Sequence, residues 1–214
     1  MRTTDSYAGF ADLEKQQVRG VDYEIEMHRR PASPVAIIAP HGGRIERGTS
    51  AIARGIAGED FNLYLFEGIK SSGNYAALHL TSRRFDEPSC LGLIAQCLFV
   101  VVIHGCKGNS EKVLLGGLDH ELKAQLSDSL GKAGVEVETH GHRYPATDPD
   151  NICNRGRLAK GVQLELSARL RGGTAERRFV NTVRSVLLSL GAKGHKGSDE
   201  FFIISQKTNT LLAK

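Results

Sequence analysis

Two fully apolar runs, Val35–Ala39 (VAIIA) and Leu98–Ile103 (LFVVVI), constrain this chain more than any other feature. Runs so short and so rich in β-branched residues read as strands buried on both faces. Strands of that kind belong to sheets layered between helices. The two runs also end alike. Val35–Ala39 is expected to stop at Pro40, with His41-Gly42 next, and Leu98–Ile103 is closed by His104-Gly105. Beyond His41, Gly42 and Gly43 can turn through positive φ. Glu46 sits in that bend, and Thr49 or Ser50 can cap a helix that begins at Ala51. This is the carboxyl edge of a buried strand, where open α/β sheets place their ligands.

If the two strands are parallel neighbours, His41, Glu46 and His104 converge. Two imidazoles and one carboxylate, with a fourth position left to water, form the donor set of a catalytic zinc. Taken singly, each histidine is an ordinary polar residue at a strand end. The repeated setting carries the metal reading.

The rest of the chain alternates. Residues 1–20 read as a tail with a short helix around Gly9–Gln17, and Val21–His28 as an edge strand with charges on one face. Ser50–Ala57 is a helix, Phe61–Phe66 a strand, and Asn74–Thr81 a short element holding His79. Ser89–Gln96 is a helix and Lys112–Leu115 a short strand. Asp119–Leu130 is an amphipathic helix through Leu122, Leu126 and Leu130, and Val135–Glu138 is a strand. Gly161–Ser167 is a strand, Ala175–Leu190 a helix striped by Phe179, Val183, Val186, Leu187 and Leu190, and Phe201–Ile204 a last strand. The expected fold is α/β: a mixed parallel and antiparallel sheet with helices on both faces, in a single domain over 1–214. Residues 139–160 interrupt this order with a long polar loop, and loops of that length in compact domains are usually functional or disordered.

Composition narrows the function. Formal net charge is +4, aromatic residues are 6% and Trp is absent. Nucleic-acid binders cluster basic residues with aromatics, so that partner is disfavoured. A basic pocket for an acidic ligand fits the same charge. No apolar run approaches the ~20 residues of a membrane span, and the N-terminus lacks a signal-peptide apolar region. No membrane partner and a cytoplasmic location are therefore expected. Cys90, Cys97, Cys106 and Cys153 form no C-x-x-C pair and read as reduced thiols, with Cys106 close enough to His104 to line a pocket.

Three further features need weighing. Glu165 lies on the polar face of GVQLELS, where a carboxylate is solvated, paired or functional. Solvated is its ordinary state; facing a metal crevice, it becomes a general base. Gly43–Ser50 matches the phosphate loop G-x-x-x-x-G-K-S except that Thr49 replaces Lys, and Glu46 adds a negative charge inside the cradle. That reading ranks low. His140 and His142 are a second possible metal pair by strand spacing, although a surface or pocket-wall position suits them better. His120 and His195 read as surface residues, His28 as the end of an edge strand, and His79 as either core or pocket.

The blocks HGGRIERGTS (41–50), DFNLYLFEG (60–68), ALHLTSRRFDEP (77–88), the VVVIHG run ending at Gly105 and GVQLELS (161–167) resemble the phage-type poly-γ-glutamate hydrolases. Order and spacing agree from about Arg30 onward. The resemblance implies a zinc carboxypeptidase-like fold and one Zn2+ held by His41, Glu46 and His104, with Glu165 as the catalytic glutamate. His41 and Glu46 have four residues between them where zinc carboxypeptidases have two, so the Gly-Gly bend must bring them together. Some relatives of this type carry a phage-replication label, and release from the host by lysis is the alternative location.

The resulting expectation is a zinc-dependent amide hydrolase cleaving γ-glutamyl bonds of an acidic polymer or a small acidic amide. Glu165 moves the proton, and Arg84 or Arg155 offsets charge on the developing oxyanion. Arg44, Arg47, Arg83, Arg143, Arg157 and Lys160 are the candidates to hold substrate carboxylates. An N-acyl amino acid deacylase of similar architecture and a non-enzymatic phage replication or nucleic-acid-binding factor are the alternatives.

Overall fold

The computed structural model describes residues 5–190, so the expected strand Phe201–Ile204 and His195 lie outside the described residues. Seven strands form one sheet: β1 (Tyr23–His28), β2 (Val35–Gly43), β3 (Asn62–Gly68), β4 (Phe99–Cys106), β5 (Lys112–Gly116), β6 (Glu136–Glu138) and β7 (Val162–Ser167). Their spatial order is β1-β3-β2-β4-β7-β5-β6. The four central strands run parallel, β1 and β5 pair antiparallel to β3 and β7, and β6 pairs parallel to β5. This is the mixed sheet that the sequence pattern implies.

Strand parity sorts the core into two layers. Val35, Ile37, Leu63, Leu65, Val101, Ile103, Leu164 and Leu166 face one side. There they meet helices α2 (Thr49–Ala57), α5 (His120–Lys132) and α6 (residues 176–190) through Ile52, Leu126 and Phe179. Ala36, Ile38, Tyr64, Phe66, Val100 and Val102 face the other side. That side is covered by α1 (Phe10–Leu13), α3 (Asn74–Leu78), α4 (Pro88–Ile94) and the 3₁₀ turn Ile152–Asn154. Residues 139–160 thus lie over the sheet and bury Ala146, Ile152 and Cys153 in this layer.

Local chemistry sets the helix starts. Glu87 accepts hydrogen bonds from the Ser89 and Cys90 backbone N–H groups and so caps α4, which opens with Pro88 at a position that needs no donor. Asp119 caps α5 by accepting from the Leu122 N–H. The start of α2 differs from expectation. It begins at Thr49 after Gly48, whose φ of 94° only glycine adopts readily, and neither Thr49 nor Ser50 caps it. Ser50 Oγ instead accepts from the Gly43 N–H at 2.9 Å.

β2 also runs further than the sequence pattern implies. It continues through Pro40 and His41 to Gly43. Pairing with β4 covers Val35–Ile38, and the register against β3 shifts between Ala39 and Gly42. Pro40, which has no N–H to donate, falls in that bulge, one of the few sheet positions that accept proline.

Candidate metal centre

β2 and β4 are parallel neighbours, so the two His-Gly endings emerge at one edge of the sheet. The bend that brings in Glu46 encloses the glycine pair, as the Gly-Gly spacing implies: Gly43 turns at a φ of 61°, and the Ile45 N–H donates to the Gly42 carbonyl at 3.2 Å. Gly42 and Gly43 still lie in register with Glu67 and Gly68 of β3, and their backbones are closely packed. A Cβ on Gly43 would stand 2.6 Å from the Gly68 carbonyl oxygen. The turn is closed by the Glu46 N–H donating to the His41 carbonyl at 2.9 Å. Thr49 Oγ1 donates to the Glu46 carbonyl at 2.8 Å and tightens it further.

His41, Glu46 and His104 converge at that point. One donor atom from each lies within 4.8 Å of the others, and no other cluster of three such residues occurs among the described residues. The converging atoms are the two Nδ1 nitrogens, 3.1 Å apart, and the Glu46 carboxylate, 3.1 Å from His41 Nδ1 and 3.7 Å from His104 Nδ1. The outer ring nitrogens are already occupied. His41 Nε2–H donates to the Leu80 carbonyl at 2.7 Å, and His104 Nε2 lies 3.0 Å from Ser82 Oγ. A carbonyl can only accept, so the proton of neutral His41 sits on Nε2 and its Nδ1 lone pair points inward. The Gly105 N–H donates to Glu46 Oε2 at 2.7 Å and fixes the carboxylate.

A proton on His104 Nδ1 can bridge the two ring nitrogens, but the Glu46 carboxylate then still faces the His41 Nδ1 without a positive partner. A proton on His41 meets that need in part. Burial lowers the pKa of this imidazole, but the Glu46 carboxylate outweighs burial and raises it. Burial opposes ionisation of Glu46, yet the imidazoles hold its carboxyl far below the usual carboxylate range. His104 is pushed down by burial and stays neutral. A divalent cation satisfies all three groups at once, and the N, N, O donor set suits zinc.

Glu165 is the register partner of His104 across β4 and β7, on the same face of the sheet. It is buried, and burial together with the nearby Glu46 charge raises its pKa to about 8. Gln163, two residues earlier on that face, donates its amide to Glu165 Oε1 at 2.9 Å and accepts from the Asn151 amide at 3.0 Å. The trio and Glu165 line a cavity of ≈ 1180 Å³, with His79, Lys107, Arg143 and Tyr144 elsewhere in its wall. His79 is therefore a pocket residue. It stacks between Tyr75 and His41, with ring centroids 4.5 and 4.2 Å away, and its Nδ1 lies 3.3 Å from Asp5 Oδ1.

The basic residues divide sharply. Arg143 lines the cavity and lies over the Tyr144 ring at 5.2 Å, and Arg47 lines a smaller neighbouring cavity of ≈ 410 Å³. The remaining candidates line neither cavity. Arg84 reaches Asp5 at 3.8 Å and the Tyr7 carbonyl, and Arg83 pairs with Asp148. Arg44 donates to the Lys70 carbonyl and Lys160 pairs with Asp119. Arg155 is half-buried and Arg157 is exposed. Lys107 and Lys112 line the larger cavity although nothing in the sequence singles them out. Lys112 is engaged by Glu136 and Glu138, whereas Lys107 has no carboxylate partner among the described residues.

Other expectations resolve as follows. His142 donates Nε2–H to the Leu115 carbonyl and accepts the Tyr144 N–H on Nδ1, so both ring nitrogens are used and it forms no metal pair with His140. His28 ends β1 beside Glu26, and His120 is exposed at the start of α5. All four cysteines are free thiols; burial raises Cys106 to about 11, so it is no nucleophile at neutral pH. The Gly43–Ser50 loop turns the Glu46 carboxylate inward, a charge that repels phosphate.

The sequence profile described as poly-gamma-glutamate hydrolase matches residues 7–184. The chain is 36% identical over 165 residues to UPF0714 protein YmaC of Bacillus subtilis (strain 168), covering 76% of this chain and 69% of the relative. It spans 60–69% of the length of three such B. subtilis proteins. Among solved structures, a bacteriophage poly-γ-glutamate hydrolase superposes with a TM-score of 0.81 at 33% identity, over 87% of this chain and 98% of that one. The zinc-free form of YndL superposes with a TM-score of 0.76 at 32% identity, over 87% and 96% of the two chains. With its profile match running through nearly all the described residues, this chain belongs to the poly-γ-glutamate hydrolase family.

Proposed function

We propose that this protein is a zinc-dependent amide hydrolase that cleaves γ-glutamyl bonds of poly-γ-glutamate or a related acidic amide. One observation carries the reading: two inward-facing Nδ1 atoms and a carboxylate meet at one point, each already braced from outside by Leu80, Ser82 or Gly105. His41, Glu46 and His104 would hold the ion. When bound, zinc supplies Lewis acidity, which polarises a carbonyl and makes water a nucleophile near neutral pH, and its charge favours ionised Glu165.

Glu165 takes one proton from the attacking water as its oxygen bonds to the amide carbon. The carboxyl then gives that proton to the departing nitrogen as the C–N bond breaks. Gln163 holds Oε1, so the second oxygen carries the proton. Lys107 and Arg143 line the same cavity and hold free carboxylates of the substrate. Arg84 and Arg155 do not line this cavity, so its lining lends the oxyanion role no support from either.

Purified protein incubated with poly-γ-glutamate tests this. Polymer length should fall, stop falling when a chelator strips the metal, and resume when zinc returns. Zinc-loaded protein that leaves the polymer intact while retaining DNA would favour the replication-factor alternative.

A further inference from the structure

We infer that Arg171 is a positioning residue that sets the geometry of the metal centre from outside; the inference rests on the metal reading above. Arg171 lies just beyond β7 and its guanidinium donates to three backbone carbonyls. Nε donates to Leu166 at 3.1 Å, one terminal nitrogen donates to Cys106 at 3.0 Å, and the other donates to Arg47.

Each carbonyl adjoins a functional side chain. Leu166 follows Glu165, Cys106 is two residues past His104, and Arg47 follows Glu46. One planar cation therefore ties together the ends of β4 and β7 and the loop between β2 and α2. Carbonyls at strand ends and in a connecting loop need donors, and arginine offers several in a fixed fork.

Gly105 shows how closely the fork is fitted. Its N–H donates to Glu46 Oε2 at 2.7 Å, while a Cβ on it would stand 2.5 Å from Arg171 Cζ. A side chain at 105 would push the guanidinium off its carbonyls. Gly48, with φ at +94°, likewise approaches the Arg171 side chain, where a Cβ would meet Arg171 Cβ at 3.1 Å. Nothing in the catalytic proposal uses Arg171, yet it ties together the segments that carry Glu46, His104 and Glu165.

The test compares wild type, Arg171→Met, Arg171→Lys and Gly105→Ala. Zinc affinity is measured by chelator competition, and site geometry by the visible spectrum of the cobalt-loaded protein. Groups that orient metal ligands typically contribute about 10- to 100-fold in metal affinity, so Arg171→Met and Gly105→Ala should weaken zinc by that order and shift the cobalt bands. Arg171→Lys should recover part of the affinity. If Arg171→Met fails to fold, Arg171→Lys and Gly105→Ala decide by the same readouts. Wild-type affinity and unshifted cobalt bands, with only melting temperature lowered, would overturn the proposal and leave Arg171 a purely structural residue. If wild type takes up neither metal, the metal reading fails and the clamp falls with it. If the variants lose zinc as expected but wild type leaves the polymer intact, the clamp stands and the substrate assignment alone fails.

Discussion

His104 and Glu165 stand side by side as register partners on the parallel strands β4 and β7. Paired residues of parallel strands point to the same face. The proposed ligand and the proposed base are therefore held at a fixed separation by the backbone ladder, not by a loop. Gln163 and Asn151 then fix the carboxylate itself.

Two glutamates of the site should respond differently to the same change. Glu165→Gln keeps shape and should keep zinc, while turnover drops by ~10²–10⁴-fold, the usual contribution of a positioned general base. Glu46→Gln removes an anionic donor and should weaken zinc itself. Zinc content beside initial rate, for each variant, distinguishes the roles. Loss of zinc in Glu165→Gln would show that Glu165 is a ligand.

Replacing His41 or His104 by Ala should remove stoichiometric zinc, because either change leaves only two donors. Elemental analysis of the purified variants reads this directly. Metal retained at wild-type content in the double variant would place the site elsewhere.

Glu165 also makes the metal-free fold sensitive to pH. Its folded-state pKa, about 8, lies above the ordinary value of 4.5. The folded protein thus binds more protons than the unfolded chain between those values. This contribution to stability is complete below about 4.5 and falls as pH rises toward about 8. Chemical denaturation of chelator-treated protein should show that decline, and Glu165→Gln should flatten it. Equal slopes in both proteins would remove Glu165 as the cause.

Lys107 and Arg143 should govern substrate charge. Lys107→Ala and Arg143→Ala should raise KM for an acidic polymer while leaving kcat and zinc content near wild type. Added salt should produce the same trend in the wild type, since exposed charges are screened within about 8–10 Å at physiological ionic strength. Unchanged KM for both variants would shift carboxylate recognition to other residues.

Much of this was legible in the chain. VAIIA and LFVVVI declare buried strands, their shared His-Gly endings fall at one edge of the sheet, and alternation in GVQLELS places Glu165 on the face opposite Val162, Leu164 and Leu166. What is not legible is which strands are neighbours. β7 lies between β4 and β5 although β6 precedes it in the chain, and no local pattern encodes that order. The basic residues show the same limit. Arg83 and Arg84 sit in a conspicuously basic stretch, yet they pair with Asp148 and Asp5. Lys107 looks unremarkable and faces the cavity. Gln163 was within reach, since it shares strand parity with Glu165. Arg171 was not, because its partners are carbonyls from three separate segments.

The strand order has a consequence for how the protein comes into being. A chain growing from its N-terminus possesses His41, Glu46 and His104 well before it possesses Glu165. β5 and β6 meanwhile have no edge to join, because β5 meets the sheet only through β7. Among the described residues, the last strand to be made is thus the one that brings the proposed base. During synthesis all three proposed ligands are therefore present before the proposed base, and a chain grown only as far as β6 holds the donors of the site without the group assigned to move the proton.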